Sequence, residues 1–415
     1  MQKKDLDWGN LSFTYQPCDY SYACDYHDGA WEEGGLTRDH TITLCEDAGI
    51  YQYCQEIFEG MKAYTTEDGS IVCFRPDQNA RRMADSARRM VMPPFPEDKF
   101  VEAVKEVVAA NEAWVPPFGS GATLYIRPFM IATGDVIGVK PATGYQFRLF
   151  TTPVGPYFKG GAKPITICVS DFDRAAPAGT GHIKAGLNYA MSLHAYVTAH
   201  ESGFDENMFL DPATHTYVEE TGGANFLFVT TDGTIVTPKS TSILPSITRR
   251  SLVYLAQNVL GLKVEERPVH KDELKDFAEC GLCGTAAVIS PVGKINDHGR
   301  EIVFKNSADA MGPVIKQLYD TLTGMQMGDI EAPEGWIHEI PVCLRFRCRW
   351  ERAAAALRQP FFRTKHLFSE KSLMIIMDVE KYKEMTAPCF RWNSWLNRGR
   401  SSEGMTESGS LSSIT

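Results

Sequence analysis

Residues Gly179–Tyr189 read GTGHIKAGLNY. Lys184 sits there among glycines, small residues and apolar residues, with no acidic neighbour in the segment. Most lysines are solvated. One taken out of water is less stable as an ammonium ion, and a pKa pulled toward about 7–8 makes the amine nucleophilic. A Schiff-base lysine needs such an amine. The plainer alternative is a loop lysine at a helix start. A phosphate-cradling P-loop is excluded, because no Gly-Lys-Ser/Thr is present.

A Schiff base implies a carbonyl partner, and pyridoxal phosphate is the commonest. Its ring nitrogen calls for a carboxylate, its phosphate for helix N-terminal N–H groups and a cation, and its ring hydroxyl for a hydrogen-bond partner. Glu220 lies in YVEETGGANFLF, where Gly222 and Gly223 allow close backbone approach, and is a candidate for the nitrogen. Glu219 would alternate to the other face of a strand. Either carboxylate also reads as a solvated turn residue. Leu244–Thr248 (LPSIT) opens a helix whose free N–H groups and Thr248 hydroxyl suit an anion. Ser246 or Thr248 reads equally well as a simple N-cap. Gly284-Thr285 offers a second turn with a hydroxyl. Arg82 is one of four arginines around Asn79–Met90, a setting in which arginines are usually solvated.

The surrounding chain reads as mixed α and β. Thr65–Arg75 and Asn225–Pro238 are strand–turn–strand patterns around Asp-Gly. Met83, Ala87 and Met90 fall at helical spacing, as do Phe100, Val104, Val107 and Val108. Thr123–Ile131 reads as a strand with Tyr125 and Arg127 on one face. Leu252, Leu255, Ala256 and Val259 mark a helix ending at Gly261. Ala308–Leu322 reads as a last helix closed by Gly324. Pro153–Gly161 is the best linker candidate.

With 415 residues, 43% hydrophobic and 23% charged, the chain is neither disordered, collagen-like nor a coiled-coil rod. The net charge of −10 disfavours a nucleic-acid or anionic-membrane surface spread over the protein. The segment MQKKDLDWGN has no apolar h-region, so we expect no secretory signal; no apolar run reaches membrane length, and the cysteine count of 11 is odd and without framework spacing. These features lead us to expect a reduced, cytoplasmic protein. Residues 341–415 carry 13 Lys/Arg against 7 Asp/Glu, a net of +6, whereas residues 1–340 net −16. This atypical basic tail is expected to lie outside the fold, as out-of-frame or read-through sequence rather than a partner-binding extension.

The ordered segments FEGMK (58–62), FRP (74–76) with Arg82, YIRP (125–128), GTGHIKAGLNY, EETGGANFLF, ILPSITRRSL, CGTAAVISPVG and EGWIHEI resemble those of branched-chain amino-acid aminotransferases. The resemblance spans roughly residues 5–340. It implies an α+β (mixed α/β) fold-type-IV enzyme, of the class IV aminotransferases. The implied parts are a smaller N-terminal α/β domain (1–152), an interdomain loop (153–161), and a larger C-terminal domain (162–340) with a barrel-like sheet. The cofactor, pyridoxal 5'-phosphate, would lie between the domains, and the family is usually a homodimer.

Residue by residue, the resemblance implies that Lys184 carries the cofactor and Tyr189 bonds its ring hydroxyl. Glu220 partners the ring nitrogen, and Arg82, Ile247, Thr248 and Thr285 bind phosphate. Tyr53, Phe58, Tyr125 and Arg127 surround the substrate, with Ala286 in the turn near its carboxylate. The implied activity is ping-pong amino transfer between L-leucine, L-isoleucine or L-valine and 2-oxoglutarate, giving branched 2-oxo acids and L-glutamate. Lys184 is the expected general base and acid. Aromatic walls suit the branched side chains, and Arg127 with Tyr53 and Tyr125 suits a second carboxylate. Rejecting one methylene gains only about 1–3 kcal/mol, so overlapping use of the three substrates is expected.

Two other readings remain. One is a D-amino-acid aminotransferase or aminodeoxychorismate lyase of the same fold, disfavoured by FEGMK and YIRP. The other is a cofactor-binding protein without turnover, disfavoured by the intact Lys184, Tyr189 and Glu220. Cys280-x-x-Cys283 lacks further ligands for a metal. Some animal members of the family place a redox Cys-x-x-Cys after the Gly-Thr, where this chain has Ala287 and Ser290. Cys280 and Cys283 are therefore expected to be small buried residues.

Overall fold

The ten-residue strand Thr123–Ala132 is the spine of the first sheet, pairing along its whole length with Tyr145–Val154. The computed structural model describes residues 2–155 and 162–341. Residues 156–161 of the expected interdomain loop, and the tail from 342 onward, lie outside the described residues. Nine antiparallel strands make up this first sheet. The expected hairpin appears as Met61–Thr65 and Ile71–Phe74, with Gly69 at φ 84° in its turn. Only a residue without Cβ takes that conformation freely.

Two helices cover the sheet, α2 (Pro76–Arg89) and α3 (Glu97–Ala110), following the short α1 (Gly49–Tyr53). Pro76 at the first helical position fixes the start of α2. Met83, Ala87, Phe100, Val104 and Val107 bury against Ile57, Leu124, Ile126 and Phe147. Each of the larger of these fully buried side chains contributes roughly 1.5–3 kcal/mol, and the Ala87 methyl about 0.8.

The second sheet has eight strands, mixes parallel and antiparallel pairs and curls as a half-barrel. Its centre is Asn225–Thr230, Phe277–Gly284 and Val288–Asp297. Alternation separates its faces. Leu227, Val229, Cys283 and Ile289 meet α5 (Ile247–Asn258) and α6 (Pro313–Met327), while Phe226, Phe228, Cys280 and Leu282 form a second core on the far side. The helix α4 (Gly186–Glu201) packs against Glu56–Phe58 of the first sheet and Glu206–Met208 of the second.

Two sequence expectations shift. The last helix runs Pro313–Met327 rather than Ala308–Leu322, and Gly324 lies inside it. A Cβ at Gly324 would sit 2.7 Å from Ile330 Cδ1, so close packing rather than termination explains that glycine. Gly328, at φ 85°, makes the left-handed cap instead. The start of α6 is set by Pro313 and by Glu279, whose carboxylate accepts the N–H groups of Val314 and Ile315 at 3.2 and 3.0 Å. Similarly α5 ends at Asn258, a turn before Gly261, which takes φ 65°. Ile337–Glu339 returns to pair with Ile71–Phe74 in the first sheet. Among the described residues, no helix is long and apolar enough to cross a membrane, and no cluster of His, Cys, Asp and Glu could hold a metal.

Candidate active site

Lys184 lies two residues before the first turn of α4, and Tyr189 lies just inside the helix. This spacing brings the Lys184 Nζ to 2.7 Å from the Tyr189 hydroxyl. The lysine backbone is fixed from two sides, its N–H donating to Ser86 Oγ at 3.2 Å and its carbonyl accepting from Phe58 N at 3.0 Å. The Phe58 ring completes the wall, with its centroid 4.8 Å from Lys184 Nζ and 4.8 Å from that of Tyr189. The amine is half-buried rather than in bulk water.

Glu220 lines the same cavity from the short bridge that pairs it with Asn225. Its side chain is buried and fully engaged. Oε1 accepts Leu244 N at 2.8 Å and faces Arg174 Nη2 at 2.7 Å, while Oε2 accepts Asn225 Nδ2. Burial pushes this carboxyl up to about 7, while Arg174 and the Leu244 N–H pull against the rise. Its neighbour Glu219 turns to the other face, as alternation predicts, and accepts from Ser240 Oγ at 2.8 Å. Strand alternation therefore separates two adjacent glutamates into two environments.

At the opposite end of the cavity, α5 presents its N-terminus. Ser246 caps the helix, accepting from Arg249 N at 3.2 Å. The N–H groups of Ile247 and Thr248 have no acceptor among the described residues. Free N–H groups at a helix start form an anion site. Arg82 lies beside them and is buried, unlike Arg81, Arg88 and Arg89 on the same helix. Its Nε and Nη2 each bond a Glu59 carboxylate oxygen at 2.7 Å, and its Nη1 donates to Pro245 O at 3.3 Å. Burial works against the Arg82 charge, but Glu59 outweighs it and raises the pKa. Thr285 closes the set, its hydroxyl donating to Gly60 O at 3.3 Å.

Of the substrate-side candidates, Arg127 stacks over Phe58 with its Cζ 4.8 Å from the ring centroid and donates to the Tyr125 hydroxyl at 2.9 Å. Gly60 leaves room for this arrangement, since a Cβ there would lie 2.3 Å from Tyr125 Oη. Ala286 sits in the three-residue turn between paired Gly284 and Val288. Tyr53 is not brought to this cluster. It is exposed on α1, and its hydroxyl donates to the Ile137 carbonyl.

Sequence reading missed Arg174, Glu59 and Lys62. Arg174 ties Glu220 to the Gly181 carbonyl (3.1 Å) and to the Ser242 carbonyl, so one guanidinium joins the lysine loop, the carboxylate and the approach to α5. Its only sequence signal is an arginine between Asp171-Phe172-Asp173 and the small residues Ala175–Gly181. Cys280 and Cys283 are buried on opposite sheet faces, their thiols pushed up well above the usual range and to about 12 respectively by burial. They are small core residues and do not face each other.

The residues present fit pyridoxal phosphate. A half-buried amine beside a phenol, a buried carboxylate and unpartnered N–H donors beside an arginine converge on one cavity. A Cβ at Gly223, which also lines it, would meet no atom within 4 Å, so the backbone leaves that space open. Over residues 56–295 the chain matches the family described as amino-transferase class IV. Match and cavity together define a class IV aminotransferase. The branched-chain-amino-acid aminotransferase of Haemophilus influenzae is 51% identical over 342 residues, covering 81% of this chain and 99% of that relative. The Helicobacter pylori enzyme of the same name is 46% identical over 339 residues, covering 81% and 98%. The crystal structure of the Thermobaculum terrenum branched-chain amino acid aminotransferase in its PLP form superposes with a TM-score of 0.66 at 28% identity, covering 79% of this chain and 99% of that one. The chain thus belongs to the branched-chain aminotransferase family.

Proposed function

We propose that this protein is a pyridoxal-phosphate-dependent transaminase that moves the amino group between L-leucine, L-isoleucine or L-valine and 2-oxoglutarate. The observation that carries the reading is the Lys184 Nζ held 2.7 Å from the Tyr189 hydroxyl in a cavity shared with buried Glu220. When bound, the cofactor supplies an aldehyde carbon and an electron-withdrawing ring.

In this reading the chain's own groups divide the work. Lys184 would hold the cofactor through its Nζ and, once freed, would move the proton at the substrate's α-carbon. Tyr189 orients the Lys184 Nζ and bonds the ring hydroxyl. Glu220, braced by Arg174, faces the ring nitrogen. The Ile247 and Thr248 N–H groups, Arg82 and Thr285 hold the phosphate. Phe58 and Tyr125 wall the branched side chain, Arg127 meets the second carboxylate of glutamate, and the turn at Ala286 receives the α-carboxylate. Tyr53 enters as the residue that holds the loop at Ile137. A division at 1–152 and 162–340, with the cofactor between, belongs to the same proposal. So do a cytoplasmic location and a homodimer, the latter supported by exposed Met191, Leu193, Tyr196 and Val197 on α4.

The test is turnover of purified protein with L-leucine and 2-oxoglutarate, set against D-alanine. Formation of 4-methyl-2-oxopentanoate and glutamate from the first pair alone is expected. Preference for D-alanine would overturn the substrate class.

A further inference from the structure

A second cavity, of about 230 Å³, lies on the first sheet and shares no lining residue with the Lys184 cavity. Leu124, Ile126 and Phe147 bury beneath α2 and α3, so alternation sends Arg148 and Phe150 to the opposite face. The register sets Phe150 across from Arg127 and Arg148 across from Phe129. Tyr15, Phe129 and Phe150 form aromatic walls, the Phe150 ring centroid lying 5.1 Å from that of Tyr15 and 6.1 Å from that of Phe129. Ser21 and His40 also line the cavity and share a 3.2 Å hydrogen bond between Oγ and Nδ1.

Arg148 supplies the charge. It is 8% exposed, yet no carboxylate forms an ion pair with it among the described residues. Its Nη2 donates to the Asp39 carbonyl at 2.7 Å, and no described group accepts from Nε or Nη1. The two acidic side chains that bear on it are committed elsewhere. Asp39 Oδ1 accepts from Thr41 N and Oγ1 at 2.9 and 2.6 Å, and Asp25 Oδ1 accepts from Gln146 Nε2 at 2.7 Å. Burial lowers the Arg148 pKa, and Asp39 and Asp25 offset that only in part. A guanidinium taken out of water without a counter-ion is costly to keep charged, and its planar fork matches a carboxylate.

We propose that this cavity is a second binding site, separate from the catalytic one, for a small organic acid: the carboxylate pairs with Arg148, and an aromatic or branched body lies among Tyr15, Phe129 and Phe150. The inference does not rest on the aminotransferase reading. Mostly apolar walls with a few placed polar groups are the usual make-up of a small-molecule site. At about 230 Å³ the cavity falls below the roughly 300–1,000 Å³ of drug-sized sites, which limits the ligand to a small acid. Inorganic phosphate would meet the charge but leave the aromatic surface unused. Tyr15 is 55% exposed, so the wall it forms borders solvent and gives a way in.

The experiment titrates holoenzyme with phenylacetate by calorimetry in wild type, Arg148→Met and Tyr15→Ala, with acetate and inorganic phosphate as further probes. Competition of phenylacetate against L-leucine in the turnover assay reads the catalytic site separately. Wild type should bind phenylacetate at a site additional to the one that competes with L-leucine, and R148M should lose that additional site alone. In R148M, kcat and KM for L-leucine should stay within about twofold of wild type, because Arg148 lies outside the catalytic cavity. Calorimetry reads the loss in R148M whether or not L-leucine is turned over. Y15A leaves the buried charge in place and should weaken the additional site by about threefold or more through the loss of one wall. It decides the matter if R148M does not fold. Acetate, which lacks the apolar body, should bind there at least about tenfold more weakly than phenylacetate. A single phenylacetate site that competes with L-leucine would overturn the inference. So would additional binding unchanged in R148M or Y15A, or phosphate bound there as tightly as phenylacetate.

Discussion

Replacing Arg82 by methionine removes the partner of a carboxylate that is wholly shielded from water. Glu59 is 0% exposed, and Arg82 makes two 2.7 Å bonds to it. Without the guanidinium, Glu59 keeps Asn79 Nδ2 at 2.7 Å and Gly60 N at 3.3 Å, neither of which carries charge. Breaking one side of a buried ion pair costs about 3–5 kcal/mol. Unfolding entropy of about 2.1 cal/mol/K per residue over roughly 330 residues gives ~0.7 kcal/mol/K, so R82M should lower Tm by about 4–7 °C. Glu59→Met combined with R82M removes both charges and should regain most of that loss. The anion site should not return with it, because the cation beside the Ile247 and Thr248 N–H groups is still missing. The assay is calorimetric Tm of apo-protein together with pyridoxal phosphate affinity across the four-member cycle. An R82M protein as stable as wild type would refute the ion-pair argument. A stable double variant with wild-type cofactor affinity would refute the phosphate assignment.

Further outcomes follow from the same geometry. Glu220→Gln should lower kcat on the order of 10²–10³, the scale for losing one preorganised electrostatic partner, with KM changed less. In apo-protein the folded-state pKa of Glu220, about 7, stands above its ordinary carboxyl value, so wild type binds a proton that the unfolded chain releases. Relative to E220Q, wild type should therefore lose up to about 3 kcal/mol of stability as pH rises from about 4.5 to 7; parallel urea midpoints across that range would contradict this. Gly60→Ala places a Cβ against Tyr125 Oη and should cost about 1–3 kcal/mol in strain, read as a raised KM for L-leucine and lowered Tm. Iodoacetamide should label exposed Cys45 and Cys54 in the native protein and reach Cys280 and Cys283 only after denaturation, by peptide mapping.

Local pattern made part of this site readable. The small, apolar setting marked Lys184 from its own segment, whereas Tyr189 entered only through the family resemblance; the structure adds their 2.7 Å contact. The alternation of Glu219 and Glu220 was equally local, as were the two Asp-Gly hairpins and the Ser246 cap. Arg174, Glu59 and Lys62 escaped because their partners lie far along the chain, and a lone charged residue carries no mark of its counterpart. The burial of Arg82 escaped for the same reason: its helix reads as solvated arginines until Glu59 is seen beneath it. Gly324 looked like a helix stop because a glycine chosen for close packing against Ile330 and one chosen for a left-handed cap are the same letter.

The central claim concerns one amine. The protein is mixed with pyridoxal phosphate, reduced with borohydride, digested and mapped by mass spectrometry. Stable attachment is predicted at Lys184 and should disappear in Lys184→Ala. Attachment at Lys62 or another lysine, in a protein that still transaminates L-leucine, would contradict the account.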